Sequence, residues 1–144
     1  MSETLIVGVD GSECCRRAAE AAAVHAKYVG ARLVVACIIE WSPYSFNTPE
    51  ENEERHKRRQ EEIAQAKSQV LEPLIKEFKE QGLTIETLVR HGHVAEVLLQ
   101  IVEEYHASQI YIGRIGTSRL KSLLFGSVAG TLVQVAPVPV TVVP

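Results

Sequence analysis

The sequence predicts one α/β domain over residues 1–144, a three-layer sandwich in which helices cover both faces of a five-stranded parallel sheet. Five short apolar runs alternate with four stretches whose apolar residues recur at three- and four-residue steps, as strands alternating with amphipathic helices do. A chain of 144 residues suits one domain, and 46% hydrophobic with 23% charged residues is the composition of a globular protein with a real core.

The first βα unit begins with a continuous apolar run at 5–9, which is typical of a strand buried on both faces. The Asp-Gly-Ser sequence at 10–12 predicts a turn whose last residue, Ser12, caps a helix. Small residues then recur at helical spacing to about Tyr28, and their size lets a helix lie close to a sheet. Gly30 is expected to end this helix.

The second unit has a buried strand at 33–39, followed by a loop at 41–49 that contains two prolines. Residues 50–59 are charged on all sides and predict a solvated, fraying helix start. The apolar residues after them keep one helical phase through Pro73, which indicates one long helix kinked at that residue rather than two domains. Gly82 is expected to end it.

The rest of the chain predicts three more strands and two helices. Residues 84–89 alternate polar and apolar side chains, the pattern of a half-exposed edge strand. A helix is predicted at 94–105, a strand at 109–113, a helix at 128–135 and a final strand at 138–143. Because the third and last strands suit the edges, we expect the strand order 3-2-1-4-5, with a ligand site where strands 1 and 4 diverge.

Charge and composition argue against nucleic acid and membrane as partners. With 15 Lys and Arg against 18 Asp and Glu, the net charge is −3. No apolar run approaches the about 20 residues of a membrane span and no signal peptide is evident, so we expect a cytoplasmic protein. No acidic residue follows Glu104, whereas Arg114, Arg119 and Lys121 are positive, which favours an anionic ligand there, although buried elements also have little room for carboxylates.

The informative motif runs from the end of the fourth strand to the start of the last helix. Residues 113–116 read Gly-Arg-Ile-Gly, and after nine residues come Gly126 and Ser127. Glycines let backbone N–H groups approach phosphate oxygens, and a helix start adds unpaired donors, so the motif predicts an anion site. Asp10 ends the first strand, where its carboxylate could contact a sugar, a base or a phosphate-bound Mg²⁺, or cap the turn at Ser12.

Other candidate sites have less support. His91 and His93 could bind a metal, but no third ligand is near in sequence, which favours a structural role. Ser12, His93 and Asp10 could form a hydrolase triad, but no G-x-S-x-G motif is present. The three cysteines are expected to be packing residues in a reducing compartment.

The pattern G-x2-G-x9-G-[ST], here Gly113, Gly116, Gly126 and Ser127, resembles the ATP-binding signature of the universal stress protein family. The opening Ile-Val-Gly-Val-Asp-Gly-Ser at 6–12 and the closing residues also resemble that family, so the likeness covers nearly the whole chain. The resemblance implies the adenine nucleotide alpha hydrolase-like version of the predicted fold. It further implies a homodimer formed through the apolar terminal strand, Val138 to Val143, by antiparallel pairing.

The resemblance implies ATP or AMP as ligand, with Mg²⁺ near Asp10 and no metal site made by the protein alone. Val9 and Asp10 would lie against adenine and ribose, and the backbone of Cys37 would bind adenine. Glycines and their neighbours would wrap ribose and phosphates. The full set of implied nucleotide-binding residues is Val9, Asp10, Cys37, Gly113, Arg114, Gly116, Arg119, Gly126, Ser127 and Val128.

The expected function is therefore a cytoplasmic, nucleotide-dependent stress-response module that acts as a homodimer. No residue is an obvious base for an attacking water, so hydrolysis is expected to be slow at most, with no catalytic residue assigned. The alternative is a nucleotide-handling enzyme, a slow ATPase or an adenylate transferase, with Arg114 or Arg119 stabilising charge at the phosphates. A third hypothesis is an interaction module that binds no nucleotide. We also expect a Gly113→Val, Gly126→Val double variant to stay folded but lose ATP.

Overall fold

A computed structural model describes residues 3–40, 49–116 and 126–144. In these ranges the sheet has five parallel strands in the order β3-β2-β1-β4-β5, with helices on both faces, which confirms the predicted fold class and strand order. The elements are β1 (Thr4–Val9), α1 (Glu13–Val29), β2 (Arg32–Ile39), α2 (Pro49–Gln65), a π-helical segment (Ala66–Leu71), α3 (Glu72–Lys79), β3 (Ile85–His91), α4 (Val94–Tyr105), β4 (Gln109–Gly113), α5 (Ser127–Val135) and β5 (Val140–Val143).

Two cores lie on opposite faces of the sheet because successive strand residues point to opposite sides. On one face Leu5 and Val7 pack under α1, the π-helical segment and α3. On the other face Ile6 packs under α4 and α5. Alanines that are almost fully buried line the contact face of α1, and their small size brings this helix close to β1 and β4: Ala18, Ala19, Ala22, Ala23 and Ala26.

The predicted ends of the first helix are confirmed. The hydroxyl of Ser12 accepts a hydrogen bond from the Cys15 backbone N–H at 3.3 Å, which satisfies one of the free donors of the first turn. Asp10 Oδ1 accepts from the Ser12 N–H at 2.8 Å, so this carboxylate also shapes the turn. Gly30 adopts the left-handed conformation, with φ of 72°, that commonly ends helices.

The second helical region is helical from residue 49 to 79, with a π-helical segment directly before Pro73. There the Glu72 N–H donates to the Lys67 carbonyl, five residues back, instead of four. Proline has no N–H and its ring crowds the carbonyl four residues earlier, so a wider turn relieves the helix at this position. The predicted loop lies mostly at 41–48, outside the described residues.

The two edges of the sheet differ in length and polarity. β3 is seven residues long and half-buried throughout, as predicted, although it starts and ends slightly later than 84–89. β5 has four residues and begins at Val140 rather than Val138. Pro139 precedes it and cannot donate, but its carbonyl accepts from the Ile110 N–H at 3.0 Å. Among the described residues, no helix is long and apolar enough to cross a bilayer.

Candidate functional site

A cleft of about 330 Å³ opens at the carboxyl edge of the sheet, where β1 and β4 diverge toward α1 and α5. This is the switch point at which parallel α/β sheets bind ligands, and the volume is within the about 300–1,000 Å³ typical of ligand sites. Its lining residues are Gly8, Val9, Asp10, Cys15, Ala36, Ile38, Glu40, Val94, Ile112, Gly113, Arg114, Gly116, Gly126, Ser127, Val128 and Ala129.

The two glycine segments meet at this cleft. The Gly126 N–H donates to the Arg114 carbonyl at 2.7 Å, which joins the start of α5 to the residue after β4. Gly126 is the N-cap of α5, and Ser127, the first residue of that helix, is exposed. The first N–H groups of a helix have no partner within the helix, so this arrangement can present donors to an anion.

Gly113 is packed against the start of α1. A Cβ atom placed on Gly113 would lie 2.9 Å from the carbonyl carbon of Cys14 and 2.9 Å from the backbone nitrogen of Cys15. Backbone atoms cannot move aside as a flexible side chain can, so a side chain here would push α1 away from β4 and lower the stability of the fold. This contact counts against our expectation that a double variant with valine at Gly113 and Gly126 would stay folded, and that expectation stays a prediction.

Gly116 instead faces a side chain. A Cβ on Gly116 would lie 2.6 Å from Asp10 Oδ2, so the carboxylate occupies the space that the missing side chain leaves. The two carboxylate oxygens of Asp10 therefore have different contacts. Oδ1 accepts from the Ser12 N–H in the turn, and Oδ2 faces Gly116 in the cleft. The two roles that the sequence left open for Asp10 are therefore compatible in one side chain.

The floor of the cleft comes from one face of β2. Ala36 and Ile38 line the cleft, whereas the side chain of Cys37 points to the α1 face and belongs to the opposite core. Cys37 is not among the lining residues, and its implied contact with adenine through the backbone stays a prediction. Burial, followed by the charge of Asp10, raises the pKa of the Cys37 thiol.

Sequence reasoning missed several lining residues, among them Gly8, Cys15 and Glu40. Gly8 and Ala36 are register partners, so two small residues lie side by side in the floor. This pairing of small residues near two strand ends was the available signal. Burial, then the charge of Asp10, raises the pKa of Cys15 to about 12, so its thiol stays protonated at neutral pH.

Charge in the described part of the cleft comes from Asp10, Glu40 and Arg114, all of them exposed. Arg119 lies outside the described residues. In the described ranges no three metal-binding side chains form a cluster, and His91 instead contacts Glu62 at 3.1 Å.

A second cavity, of about 310 Å³, lies on the α1 face between the start of α1 and the π-helical segment. It shares Val9 with the cleft and includes Arg16 and Glu77, which carry opposite charges. Nothing in its chemistry favours one ligand class.

Comparison with known proteins gives one family. A model of the universal stress protein family matches residues 1–144. A universal stress protein of Thermus aquaticus, encoded in a sulfhydrylase 3' region, is 32% identical over 145 residues, with 99% of each chain covered.

Solved structures of the family have the same fold. UspA of Lactobacillus plantarum gives a TM-score of 0.86 at 20% identity, covering 99% of this chain and 97% of its own. An Arabidopsis thaliana family protein with AMP bound gives 0.66 at 19%, covering 98% and 90%. An Archaeoglobus fulgidus protein in complex with dAMP gives 0.62 at 19%, covering 100% and 98%. The family match, the relative and the shared fold together establish that this chain belongs to the universal stress protein family.

Proposed function

We propose that this protein is a cytoplasmic, nucleotide-dependent stress-response module that binds ATP, or AMP, in the cleft and acts as a homodimer. The observation that carries the proposal is the hydrogen bond from the Gly126 N–H to the Arg114 carbonyl. It brings the start of α5 next to the residue after β4 at the mouth of an apolar cleft. The N–H groups that follow Gly126 in the first turn of α5 have no partner within the helix and would donate to a phosphate. Catalysis is not part of the proposal.

Each part of the cleft suits one part of the ligand. Ala36 and Ile38 give an apolar floor that can receive the flat face of adenine, and Val9 lines the cleft at the end of β1. The segment 113–116, with Gly126, Ser127 and Val128, would bind ribose and phosphates. Asp10 would accept bonds from the ribose hydroxyls.

Mg²⁺ would accompany the phosphates of ATP, because oxygen ligands from a carboxylate and from phosphates suit this ion. If the Asp10 carboxylate, which is exposed and lies beside Gly116, were turned toward the phosphates instead of the ribose, it would hold this ion or one of its waters. Arg114 and Arg119 would neutralise phosphate charge. The AMP and dAMP held by the Arabidopsis and Archaeoglobus relatives support an adenine nucleotide as ligand.

The direct test is mass spectrometry of small molecules released from freshly purified, denatured protein, followed by calorimetric titration with ATP and AMP. We expect an adenine nucleotide to be released and both nucleotides to bind, with ATP affinity raised by Mg²⁺. Absence of binding by any adenine nucleotide would leave the interaction module as the better hypothesis. Rapid phosphate release during the titration would favour the enzyme.

Ser127→Ala tests the helix start with little risk to the fold, because this side chain is exposed. A lost hydroxyl bond to a charged phosphate is worth about 1.5–3 kcal/mol, so we expect ATP affinity to fall about tenfold or more. Ser68→Ala is the matched control, because its exposed hydroxyl bonds only the Gln65 carbonyl of its own helix, at 3.3 Å, away from the cleft. Equal affinities of the two variants would exclude Ser127 from the site.

The homodimer is proposed to form by antiparallel pairing of β5 with its copy. The N–H groups of Ile110 and Arg114 donate to the carbonyls of Pro139 and Val143. Strand alternation therefore turns the N–H and C=O groups of Val140 and Val142 away from β4, where they can pair with a partner.

Val142→Pro removes one outward donor and keeps the bonds to β4, so it should weaken the dimer about tenfold or more. Val142→Ala is the control for the lost side chain, and sedimentation equilibrium is the measurement. Lysine at Val140 or Val142 would test the same edge less directly, because both side chains pack against the α4 and α5 core and a charge there would also destabilise the fold. A wild-type protein that is monomeric at high micromolar concentration would refute the proposed dimer.

A further inference from the structure

The cleft and the β5 edge share a set of contacts at one point of the molecule. Gly113, which lines the cleft, is the register partner of Val143 in β5. The next residue, Arg114, donates its N–H to the Val143 carbonyl at 2.8 Å, and its own carbonyl accepts from Gly126. The segment 113–114 is therefore hydrogen-bonded both to Gly126 at the start of α5 and to Val143 at the end of β5.

Arg17 completes this arrangement from the side of α1. Its Nε donates to the backbone oxygen of Pro144 at 2.8 Å, and its Nη2 donates to the sulfur of Cys14 at 3.2 Å. Cys14 is the residue whose backbone packs against Gly113. The Arg17 guanidinium therefore ties the residue after β5 to the helix turn that packs under the cleft.

β5 depends on such contacts because it is a weak strand. It has four residues, all half-buried, and it follows Pro137 and Pro139, which cannot donate to a ladder. A change in the position of Arg114 on ligand binding would pass directly to Val143 through their shared hydrogen bond. Arg17 limits how far Pro144 can move independently.

We propose that Arg17 is a positioning residue that couples the nucleotide cleft to the β5 edge, so that nucleotide binding orders β5. Arg17 does not line the cleft. Its role is to fix Pro144 relative to Cys14 through one hydrogen bond to each. Gly113 and Arg114 lie next to these two residues. Because coupling is reciprocal, a partner that orders β5 will tighten nucleotide binding by the same factor. This inference rests on the proposed nucleotide binding and adds a route by which it is regulated.

Arg16 provides a matched control. It is the neighbouring arginine on α1, its side chain is 53% exposed against 45% for Arg17, and each pairs with a glutamate one turn away. Arg16 pairs with Glu20 at 3.5 Å, and the described contacts give it no bond to β5 or to Pro144. Arg16→Ala therefore removes the same charge and side chain without touching the coupled contacts.

The test is hydrogen exchange of the Arg114 and Val143 amides, with and without saturating Mg-ATP, in the full chain. We expect ATP to slow exchange about fivefold or more in wild type and in Arg16→Ala, and less than twofold in Arg17→Ala. Arg17→Lys keeps the charge but not both bonds, so it should give an intermediate value. It also serves if Arg17→Ala does not fold.

The outcomes separate this inference from the proposed function. If ATP binds and slows exchange equally in Arg17→Ala and wild type, Arg17 does not transmit the coupling and the inference is wrong. ATP binding without any protection of Val143 in wild type also overturns it, and both results leave the proposed function intact. Failure of any adenine nucleotide to bind wild type overturns both.

Discussion

Gly113 and Gly116 belong to one short motif, yet different parts of the molecule require them. Gly113 ends β4 and faces backbone atoms of α1, whereas Gly116 lies in the turn beyond and faces the flexible carboxylate of Asp10. The first contact is part of the packing of a helix on a sheet, and the second is part of the cleft. A glycine motif can therefore combine a requirement of the fold with a requirement of the site.

Gly113→Ala should cause the largest loss in the free energy of unfolding. Its Cβ would meet the α1 backbone at 2.9 Å, and α1 would have to shift away from β4. Overpacking of this kind costs about 1–3 kcal/mol, and the rigid partner places this variant near the upper end. We expect urea denaturation to show a loss of about 3 kcal/mol in the free energy of unfolding.

Gly130→Ala is the control for that measurement. Gly130 lies in α5, and outside that helix no atom of the described residues would come within 4 Å of a Cβ placed on it, so alanine should stabilise the protein by up to about 1 kcal/mol through helix propensity. A Gly113→Ala variant as stable as wild type would mean that the contact with α1 yields easily. The distinction between Gly113 and Gly116 would then fail.

Gly116→Ala should affect binding and leave folding almost unchanged. Its Cβ would displace the Asp10 carboxylate, which is exposed and can rotate away. We expect ATP affinity to fall about tenfold, equal to about 1.4 kcal/mol, with less than about 0.5 kcal/mol lost in stability. Calorimetry and urea denaturation of the same variant measure the two quantities.

A double-mutant cycle identifies Asp10 as the cause. In an Asp10→Asn background the side chain keeps its size, so the Gly116→Ala penalty in ATP affinity should persist. In an Asp10→Ala background the carboxylate that the new Cβ would displace is absent, so the Gly116→Ala penalty in ATP affinity should largely disappear. The same penalty in all three backgrounds would show that Gly116 serves the ligand directly and not through Asp10.

The fold could be predicted from the sequence because its signals are local and agree with one another. Ser12 and Gly30 mark the ends of α1, and the polar alternation of residues 84–89 identifies an edge strand. Most of the candidate site followed from the carboxyl ends of β1 and β4 and from the glycine spacing. These features depend on chain neighbours or on a fixed topology, so one sequence suffices.

Facing directions and close contacts could not be predicted in the same way. β2 is apolar along nearly its whole length, so no alternation shows that Ile38 faces the cleft while Cys37 faces α1. Gly113 and Gly116 are the same residue type, and only the three-dimensional contacts show that Gly113 packs against the backbone of α1 whereas Gly116 faces the Asp10 carboxylate. The sequence predicted a kink at Pro73, and the π-helical segment just before it, which relieves the crowding by that proline, was not predicted.

The smallest expected effect concerns Cys15, on the α1 side of the cleft, whose ionisation should leave ATP affinity unchanged near neutral pH. Its backbone nitrogen is one of the atoms that leave no room for a side chain on Gly113, and Cys15 is also a lining residue of the cleft. Burial, then the Asp10 charge, raises the pKa of the Cys15 thiol from 9.0 to about 12, so ATP affinity should show no step from Cys15 ionisation between pH 7 and about 9. Because the folded pKa is the higher one, the stability it contributes is present below pH 9 and is lost as the pH rises toward 12.

Alkylation of Cys15 by iodoacetamide, followed by peptide mass spectrometry at about pH 8.5, tests this part of the comparison. Only the thiolate reacts, and Cys15 is 4% exposed, so labelling of the folded protein should be about 100-fold slower than in urea. Labelling of the urea-unfolded chain gives the reference rate. Fast labelling of folded Cys15 would mean that α1 opens readily from β4. The packing of Gly113 against α1 would then be too loose for Gly113→Ala to have the larger cost in stability.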